Sequence, residues 1–130
     1  MQYPGSNEVV RPMTEFIQVS TAVDSKERAN KIARRLLDER VASCVQVLGP
    51  IQSKYWWRGR IERAREWICF IKARADDYWR IEASIKKVHP YDVPEILAFP
   101  VLRGNADYLK WIKLETARKP KQSAKAFLDR

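Results

Sequence analysis

A segment of β-favouring residues is followed by a segment with a 3.6-residue hydrophobic period, which predicts a strand and then a helix. Residues 15–21 are rich in β-favouring side chains. Further on, apolar residues recur at the i, i+3, i+4, i+7 and i+8 positions of one helical face: Ala29, Ile32, Ala33, Leu36 and Leu37. We expect Asp24 to cap this helix, because Glu27 three residues later completes a capping-box-like pair.

Two long apolar-rich segments follow, residues 42–57 and 61–73, and both predict strands. Arg58 and Gly59 between them form the turn of a hairpin. The dipeptide at residues 49–50, Gly-Pro, interrupts the first strand and predicts a bulge or kink, because proline cannot donate a hydrogen bond to a neighbouring strand. Both strands exceed the usual length of about 5–6 residues, so the hairpin should extend beyond a small sheet.

The second half of the chain repeats the order of helix and strand. Asp76 is the expected cap of a helix whose apolar residues are spaced by three, four and three positions: Tyr78, Ile81, Ile85 and Val88. Pro90 ends this helix, since the residue before a proline avoids helical dihedrals. A fourth strand spans residues 95–101, and a third helix opens at Asn105 or Asp107. Its expected inward face consists of Tyr108, Trp111 and Ile112.

These elements predict an α+β fold, a ferredoxin-like double β-α-β sandwich with a long hairpin between its second and third strands and an extra C-terminal helix. The hairpin tip carries Tyr55, Trp56, Trp57 and Ile61. Exposed aromatic residues on strands promote aggregation unless another surface covers them. We therefore expect the subunits to associate with one another through the hairpin.

Composition predicts one domain with short tails. A chain of 130 residues with 45% hydrophobic residues is sufficient for a single core. We assign residues 14–117 to the domain, residues 1–13 to a flexible N-terminal segment and residues 118–130 to a basic, disordered tail. Apolar runs are shorter than the ~20 residues of a membrane span, and the N-terminus lacks the apolar core of a signal peptide. We expect a cytoplasmic protein that does not bind membranes.

The net charge of +9 does not by itself predict a nucleic-acid partner. Basic residues alternate with acids along the expected helices, and the aromatic signature of RNA-binding ferredoxin-like domains is missing from the sequence. The two cysteines, Cys44 and Cys69, lie in strand-like runs without the spacing of a redox or zinc motif. We expect both thiols to be reduced and buried.

His89 is the only histidine of the chain, and it lies between a helix end and Pro90. An imidazole at this point has two alternative roles, as a ligand of a divalent cation or as a hydrogen-bonding group at the helix terminus. One imidazole per subunit makes a weak metal site, since zinc and copper generally need three or four ligands. We expect copper or zinc to bind weakly at His89, and we expect no other cofactor.

Three acids are candidates for chemistry together with this histidine: Glu62 and Glu66 in the third predicted strand, and Glu95 at the start of the fourth. Paired carboxylates can act as general acid and base. Here the sequence adds no nucleophile with a suitable partner and no glycine-rich phosphate-binding motif. We expect these acids to pair with Lys72, Arg60 or Arg63, and the protein to be non-enzymatic.

Several motifs occur together between residues 16 and 114. They are Thr21-x-x-Asp24, Ala42-Ser43-Cys44, Ser53-x-Tyr55-x-Trp57-x-Gly59-x-Ile61-Glu62, Glu66, Lys72, His89-Pro90-Tyr91-x-x-Pro94-Glu95-Ile96, Gly104, Tyr108 and Trp111. This combination resembles the CutA family of divalent-cation tolerance proteins. The resemblance covers nearly the whole chain outside the tails.

The resemblance implies a ferredoxin-like fold, a tight homotrimer held by extended strands and a likeness to PII signalling proteins. It also implies a link to copper and other divalent cations, with metal ligands at a cysteine that ends the first strand and at adjacent histidines before the proline. This chain has Ser20 and Thr21 where that cysteine would fall, and Val88 before His89. Only His89 carries over, which argues against strong copper binding because soft thiolate and paired imidazoles select copper.

We therefore expect a homotrimeric, non-enzymatic protein whose inter-subunit clefts hold a divalent cation or a small anionic ligand. The expected metal ligand is His89. The expected ligand-binding residues are Trp57, Lys72, Tyr91 and Glu95. The alternative is a PII-like signalling or interaction module that docks another protein.

Overall fold

Four strands and three helices make up residues 14–118, the part of the chain that this computed structural model describes. In chain order they are β1 (Phe16–Val23), α1 (Lys26–Asp38), β2 (Cys44–Trp57), β3 (Arg60–Arg74), α2 (Tyr78–Val88), β4 (Ile96–Pro100) and α3 (Ala106–Glu115), with a 3₁₀ turn, Ala75–Asp77, before α2. The strands form one antiparallel sheet in the order β2-β3-β1-β4. The ferredoxin-like fold with a long hairpin and an added C-terminal helix is therefore confirmed.

The core lies between one face of the sheet and the inner faces of α1 and α2. Alternate residues of β1 and β3 pair on this face, as Val19 does with Ile71. The fully buried members of the core include Val19, Val23, Ile32, Leu36, Ile71, Ile81 and Ile85. Burying a side chain of this size stabilises the fold by about 1.5–3 kcal/mol. This packing holds in place the strands that carry the candidate site.

The opposite face of the sheet carries the other half of each strand's side chains, because successive residues point to opposite sides. Lys72 lies opposite Gln18 at one end of this face, and Ala22 lies at the other end. α3 lies at the Lys72 end, where Arg74 donates a hydrogen bond from Nη2 to the carbonyl oxygen of Thr116, just after α3 (2.9 Å). The Ala22 end faces the hairpin and the loop before β4.

β2 and β3 continue beyond the sheet as a two-stranded ribbon. β1 pairs with β3 only over residues 67–74, whereas β2 pairs with β3 over residues 60–72. The register shifts at residues 48–51, which confirms the irregularity predicted for this strand. The backbone is left-handed at Arg58 (φ 51°) and Gly59 (φ 78°), the pattern of a two-residue hairpin turn.

Two of the predicted helix caps are wrong. Ser25 caps α1, since its hydroxyl accepts a hydrogen bond from the backbone N–H of Arg28 (3.1 Å). Asp24 instead pairs with the Arg28 guanidinium (3.4 Å). Asp76 does not cap α2, because it lies inside the 3₁₀ turn, and the residue that precedes α2 is Asp77, without a side-chain capping bond.

α3 begins after Asn105, one of its two predicted starting positions. The Asn105 side-chain oxygen accepts a hydrogen bond from the backbone N–H of Tyr108 (3.0 Å). Of the three residues predicted to face inward, Ile112 is buried, Trp111 is half-buried and Tyr108 is 43% exposed. The packed face of α3 is therefore narrower than the sequence predicts.

The two cysteines differ in their burial. Cys69 is fully buried in the core, as predicted, and burial raises the pKa of its thiol to about 11. Cys44 is only half-buried, so the prediction of a buried thiol is wrong for this residue. Cys44 begins an edge strand and lies opposite Lys72, on the sheet face that points away from the core.

The predicted N-terminal segment and the tail beyond Arg118 lie outside the described residues. Arg118 itself, which the sequence analysis assigns to the tail, is bound to the domain. Its guanidinium donates to both carboxylate oxygens of Asp77, at 2.7 and 3.1 Å. Within residues 14–118, no helix has both the length and the apolar character that crossing a bilayer requires.

Candidate ligand-binding cleft

A cleft of about 630 Å³ lies at the base of the ribbon, on the sheet face opposite the core. Its walls include residues 53–57 of β2, Glu66 of β3, and Tyr91, Asp92 and Glu95 of the loop between α2 and β4. The extension of β2 past the edge of β1 creates one wall, and the return of the chain from α2 to β4 creates the other. A cleft of this volume is in the range of small-molecule sites.

Glu66 and Tyr91 meet at the floor of the cleft. Glu66 is only 7% exposed, although its side chain is charged. The Tyr91 hydroxyl donates a hydrogen bond to Glu66 Oε2 (2.8 Å). Burial and this hydrogen bond raise the pKa of Tyr91 well above its usual value, so the phenol is a neutral donor at physiological pH. Within the described residues, the second Glu66 oxygen, Oε1, accepts no hydrogen bond and forms no ion pair.

His89 lies beside Tyr91, with the two rings in edge contact at 4.9 Å between centroids. Both of its ring nitrogens have partners. Nε2 lies 2.9 Å from the carbonyl oxygen of Ala22, and Nδ1 accepts from the backbone N–H of Tyr91 (3.1 Å). This pattern assigns the proton of the neutral ring to Nε2. Burial lowers the pKa of His89, while the hydrogen bond to Ala22 opposes that shift. The contacts favour the hydrogen-bonding role, one of the two alternatives that the sequence left open.

Three of the four predicted ligand-binding residues line the cleft: Trp57, Tyr91 and Glu95. Lys72 does not, because it lies at the opposite end of the sheet face, where its ammonium group donates to the side-chain oxygen of Gln18. The structure thus brings together the hairpin and loop residues of the motif and separates the lysine from them. A binding role for each of these residues stays a prediction.

The cleft is acidic, although the chain carries a net charge of +9. Glu66, Asp92 and Glu95 line it, and Lys54 is the only basic residue among its lining side chains. The ion pairs predicted for the motif acids are not formed, because neither Glu62 nor the two lining glutamates has a basic partner within residues 14–118. Like charges repel, so this geometry disfavours the small anionic ligand that the sequence analysis considered.

Comparison with known proteins gives the family. The family model of the CutA1 divalent ion tolerance proteins matches residues 17–115, which span every strand and helix described above apart from the first residue of β1. The chain belongs to the CutA family. The residues that form the cleft all lie within the matched range.

Relatives from distant organisms share this CutA domain. The divalent-cation tolerance protein CutA of Archaeoglobus fulgidus is 38% identical over 100 residues, which are 77% of this chain and 95% of that protein. The chloroplastic CutA 1 of Oryza sativa is 36% identical over 100 residues, which are 77% of this chain and 56% of the rice protein. The similarity therefore covers nearly all of the archaeal protein and about half of the plant protein.

Solved CutA structures share the fold as well as the sequence. The A. fulgidus protein, described as a periplasmic divalent cation tolerance protein, superimposes with a TM-score of 0.76 at 35% identity and covers 78% of this chain and 98% of its own. CutA1 of Pyrococcus horikoshii superimposes with a TM-score of 0.74 at 38% identity and covers 78% of this chain and 99% of its own. The described domain is therefore a CutA fold.

The CutA positions that the resemblance links to copper carry no soft ligand in this chain. Ser20 is 5% exposed, and Thr21 is fully buried with no hydrogen-bond partner for Oγ1 within the described residues. Val88 ends α2 where a second histidine is expected. Within residues 14–118, no three metal-ligating side chains come together. This donor set does not fit the thiolate and paired imidazoles that select copper.

The burial of Glu66 and the position of Asp92 in the wall of the cleft were not predicted from the sequence. The sequence places Glu66 on the same face of β3 as Lys72, but its burial depends on where β1 stops pairing and on the contact with Tyr91, which only the fold creates. Asp92 lies in a loop without periodicity, next to Tyr91, so only the fold brings it to the ribbon. Loop residues are where sequence patterns carry the least information.

Proposed function

We propose that this chain forms a homotrimer that acts in divalent-cation tolerance without enzymatic activity, and that a small ligand binds in the cleft where subunits meet. The observation that carries the assembly is the exposed ribbon. Trp56 and Ile61 pair across the hairpin, yet they remain 72% and 62% exposed. A contiguous apolar surface of this kind usually marks contact with another surface. The names of the CutA relatives support the cation-tolerance role.

A closed ring of identical subunits is an economical way to cover the ribbon. A two-stranded hairpin without further partners is marginal in water. In a cyclic assembly each ribbon packs on the next subunit, and no apolar ribbon remains at an open end. The resemblance to the CutA family makes three the expected number of subunits.

Sedimentation velocity tests the assembly. We expect the molar mass obtained from sedimentation of the parent protein to be three times the 15.3 kDa of one chain. Trp57→Asp places a charge on the ribbon and should give smaller or aggregated species, because burying an unpaired charge costs several kcal/mol. Trp79→Asp is the matched control, since Trp79 is 74% exposed on α2, away from the ribbon, and this variant should remain trimeric. A monodisperse parent monomer would refute the proposal.

We propose weak copper or zinc binding at His89. A metal ion at this ring must displace either the hydrogen bond that Nε2 donates to the Ala22 carbonyl oxygen or the one that Nδ1 accepts from the Tyr91 N–H, which is the physical reason for low affinity. Ligation needs the neutral imidazole, so binding should weaken below the usual histidine pKa of about 6.5. Calorimetry of the parent and His89→Ala with each metal, at about pH 7.5 and about pH 5.5, tests this. Tight binding that survives His89→Ala at both values would place the metal elsewhere.

We also propose a cytoplasmic location, as the sequence analysis expects. The A. fulgidus relative, described as periplasmic, shows why this needs a direct test. Fractionation of the native cells with an antibody against this chain should recover it with cytoplasmic markers. Recovery with markers of another compartment would contradict the proposal.

A further inference from the structure

We propose that the cleft binds a linear aliphatic polyamine, an organic cation whose ammonium groups are separated by methylene chains. The inference rests on the proposed function in one respect, that this cleft is the ligand site. The cleft combines aromatic walls with separate carboxylates, and a polyamine complements both kinds of surface.

Glu66 supplies the first part of the argument. It is 7% exposed, it lines the cleft, and its Oε1 has no donor within residues 14–118. Among residues 14–118, Oε1 is not one of the fully buried polar atoms that lack a partner, so this oxygen is open to the cleft. Oε2 already accepts the Tyr91 hydroxyl, and the protein around the carboxylate strengthens its attraction for a cation. An ammonium group that enters the cleft would give the other oxygen a charged donor, which is among the stronger kinds of hydrogen bond.

The spacing of the acids favours an extended cation over a metal ion. Glu66, Asp92 and Glu95 all line the cleft, but neither they nor any other three ligating side chains converge on one point within residues 14–118. A metal ion needs several donors at about 2.0–2.6 Å from one centre. A molecule with separate ammonium groups can meet separate carboxylates.

The aromatic wall suits the remainder of such a ligand. Tyr55 and Trp57 lie on the same face of the ribbon as Glu62 and Glu66, by the pairing of β2 with β3. Aromatic faces attract ammonium groups and pack against methylene chains. The cleft volume of about 630 Å³ has room for a molecule of this size.

The net charge of the protein makes the inference easy to test. A chain with a net charge of +9 repels a polycation, so any binding reports a local acidic site rather than the overall field. Lys54 is the one basic residue lining the cleft, and it lowers the attraction without removing it.

Calorimetric titration of the full chain with spermidine is the direct experiment. We expect saturable binding with one site per chain, weakened by added salt. Two control ligands separate charge from shape. Magnesium ion carries charge without the methylene chain, and 1,8-octanediol carries a similar chain without charge. Neither should bind at the concentrations at which spermidine saturates.

Three isosteric variants locate the site. Glu66→Gln keeps an oxygen for the Tyr91 hydroxyl and should weaken spermidine binding about tenfold or more, as loss of a buried charged contact does. Glu95→Gln changes an exposed acid of the cleft and should weaken binding by about two- to fivefold. Glu15→Gln removes the same charge from an exposed residue just before β1, at the end of the sheet opposite Ala22 and the cleft, and should leave affinity unchanged.

The outcomes separate this inference from the proposed function. No saturable spermidine binding, equal binding of octanediol or magnesium, or equal loss in Glu95→Gln and Glu15→Gln would overturn the polyamine inference. Glu95→Gln keeps the test valid if Glu66→Gln fails to fold, because Glu95 lies on the surface. Sedimentation of the same samples reports the assembly independently. A trimer that binds no spermidine would overturn only the inference, whereas a monomer would overturn the proposed function.

Discussion

Replacing Asp77 by asparagine should destabilise the domain by about 2–4 kcal/mol, and should cost more than removing any arginine around it. Asp77 is 1% exposed and accepts two hydrogen bonds from Arg118, at 2.7 and 3.1 Å. It also lies 3.7 Å from Arg74 and 3.5 Å from Arg80. The carboxylate therefore joins the end of β3, the start of α2 and the segment after α3.

The magnitude follows from the exposure of each partner. Removing one member of a fully buried ion pair costs about 3–5 kcal/mol. Here the side chains of Arg74, Arg118 and Arg80 are 24%, 31% and 63% exposed, so they regain water and the cost is smaller. Arg118→Ala leaves Asp77 two other basic partners and should cost about 1–2 kcal/mol. Arg80→Ala should cost less than about 1 kcal/mol, as exposed ion pairs do.

Equilibrium urea unfolding at one fixed protein concentration measures this order, since the stability of the proposed trimer would depend on concentration. Arg34→Ala is the matched control, because Arg34 pairs with Asp38 at 3.0 Å but its side chain is 80% exposed. Arg34→Ala should lower the free energy of unfolding by less than about 0.5 kcal/mol. If Asp77→Asn is no more harmful than Arg34→Ala, the buried carboxylate does not stabilise the fold and the reasoning fails.

Three further predictions concern the cleft and the thiols. Tyr91→Phe should cost about 1–2 kcal/mol in urea unfolding, because it leaves Glu66 without its donor; an unchanged midpoint would mean that water replaces the phenol. NMR titration of His89, the only histidine, should give a midpoint below 6.5. Since the unfolded chain then takes up the proton first, the contribution of His89 to stability is complete above about pH 6.5 and is lost as pH falls below it; a midpoint at or above 6.5 contradicts this. Native thiol labelling followed by mass spectrometry should modify Cys44 faster than Cys69, whose pKa is about 11; equal rates would show that β3 is not core.

The order of the elements could be predicted because it depends on periodicity, which is local. The apolar stripe of α1 includes Ile32 and Leu36, and both are fully buried. The hairpin turn at Arg58 and Gly59 could be predicted for the same reason, since the two strand-like runs and the glycine are adjacent in the chain. Such short patterns are reliable because a helix face and a two-residue turn are each determined by residues that are close in the sequence.

The wrong predictions concern positions where two residues can fill the same role, or where the outcome depends on residues far away in the sequence. Ser25 and Asp24 are both good caps by residue type, so residue type alone does not choose between them, and in the structure Ser25 accepts the capping hydrogen bond. Cys44 lies in an apolar run, but its strand is at the edge of the sheet, where one side lacks a neighbour. Glu66 was expected to pair with a base nearby in sequence. Its partner is Tyr91, which is 25 residues away in the sequence and lies in the loop between α2 and β4.

One geometric cause accounts for both the ribbon and the cleft. The pairing of β1 with β3 ends at Trp67, whereas the pairing of β2 with β3 continues through Glu66 to the turn. The hairpin therefore has no third strand beside it from Glu66 onward. Beyond Glu66 the two faces of the ribbon differ. Tyr55 and Trp57 lie with the acids on the cleft side, whereas Ile61 lies on the other side. The proposed assembly surface and the proposed ligand site are therefore adjacent but separable. A change at Trp57 should perturb both, while Glu66→Gln should change only the charge at the cleft floor. Ligand measurements on a Glu66→Gln protein that remains trimeric would isolate the chemistry of the cleft from the packing of the ribbon.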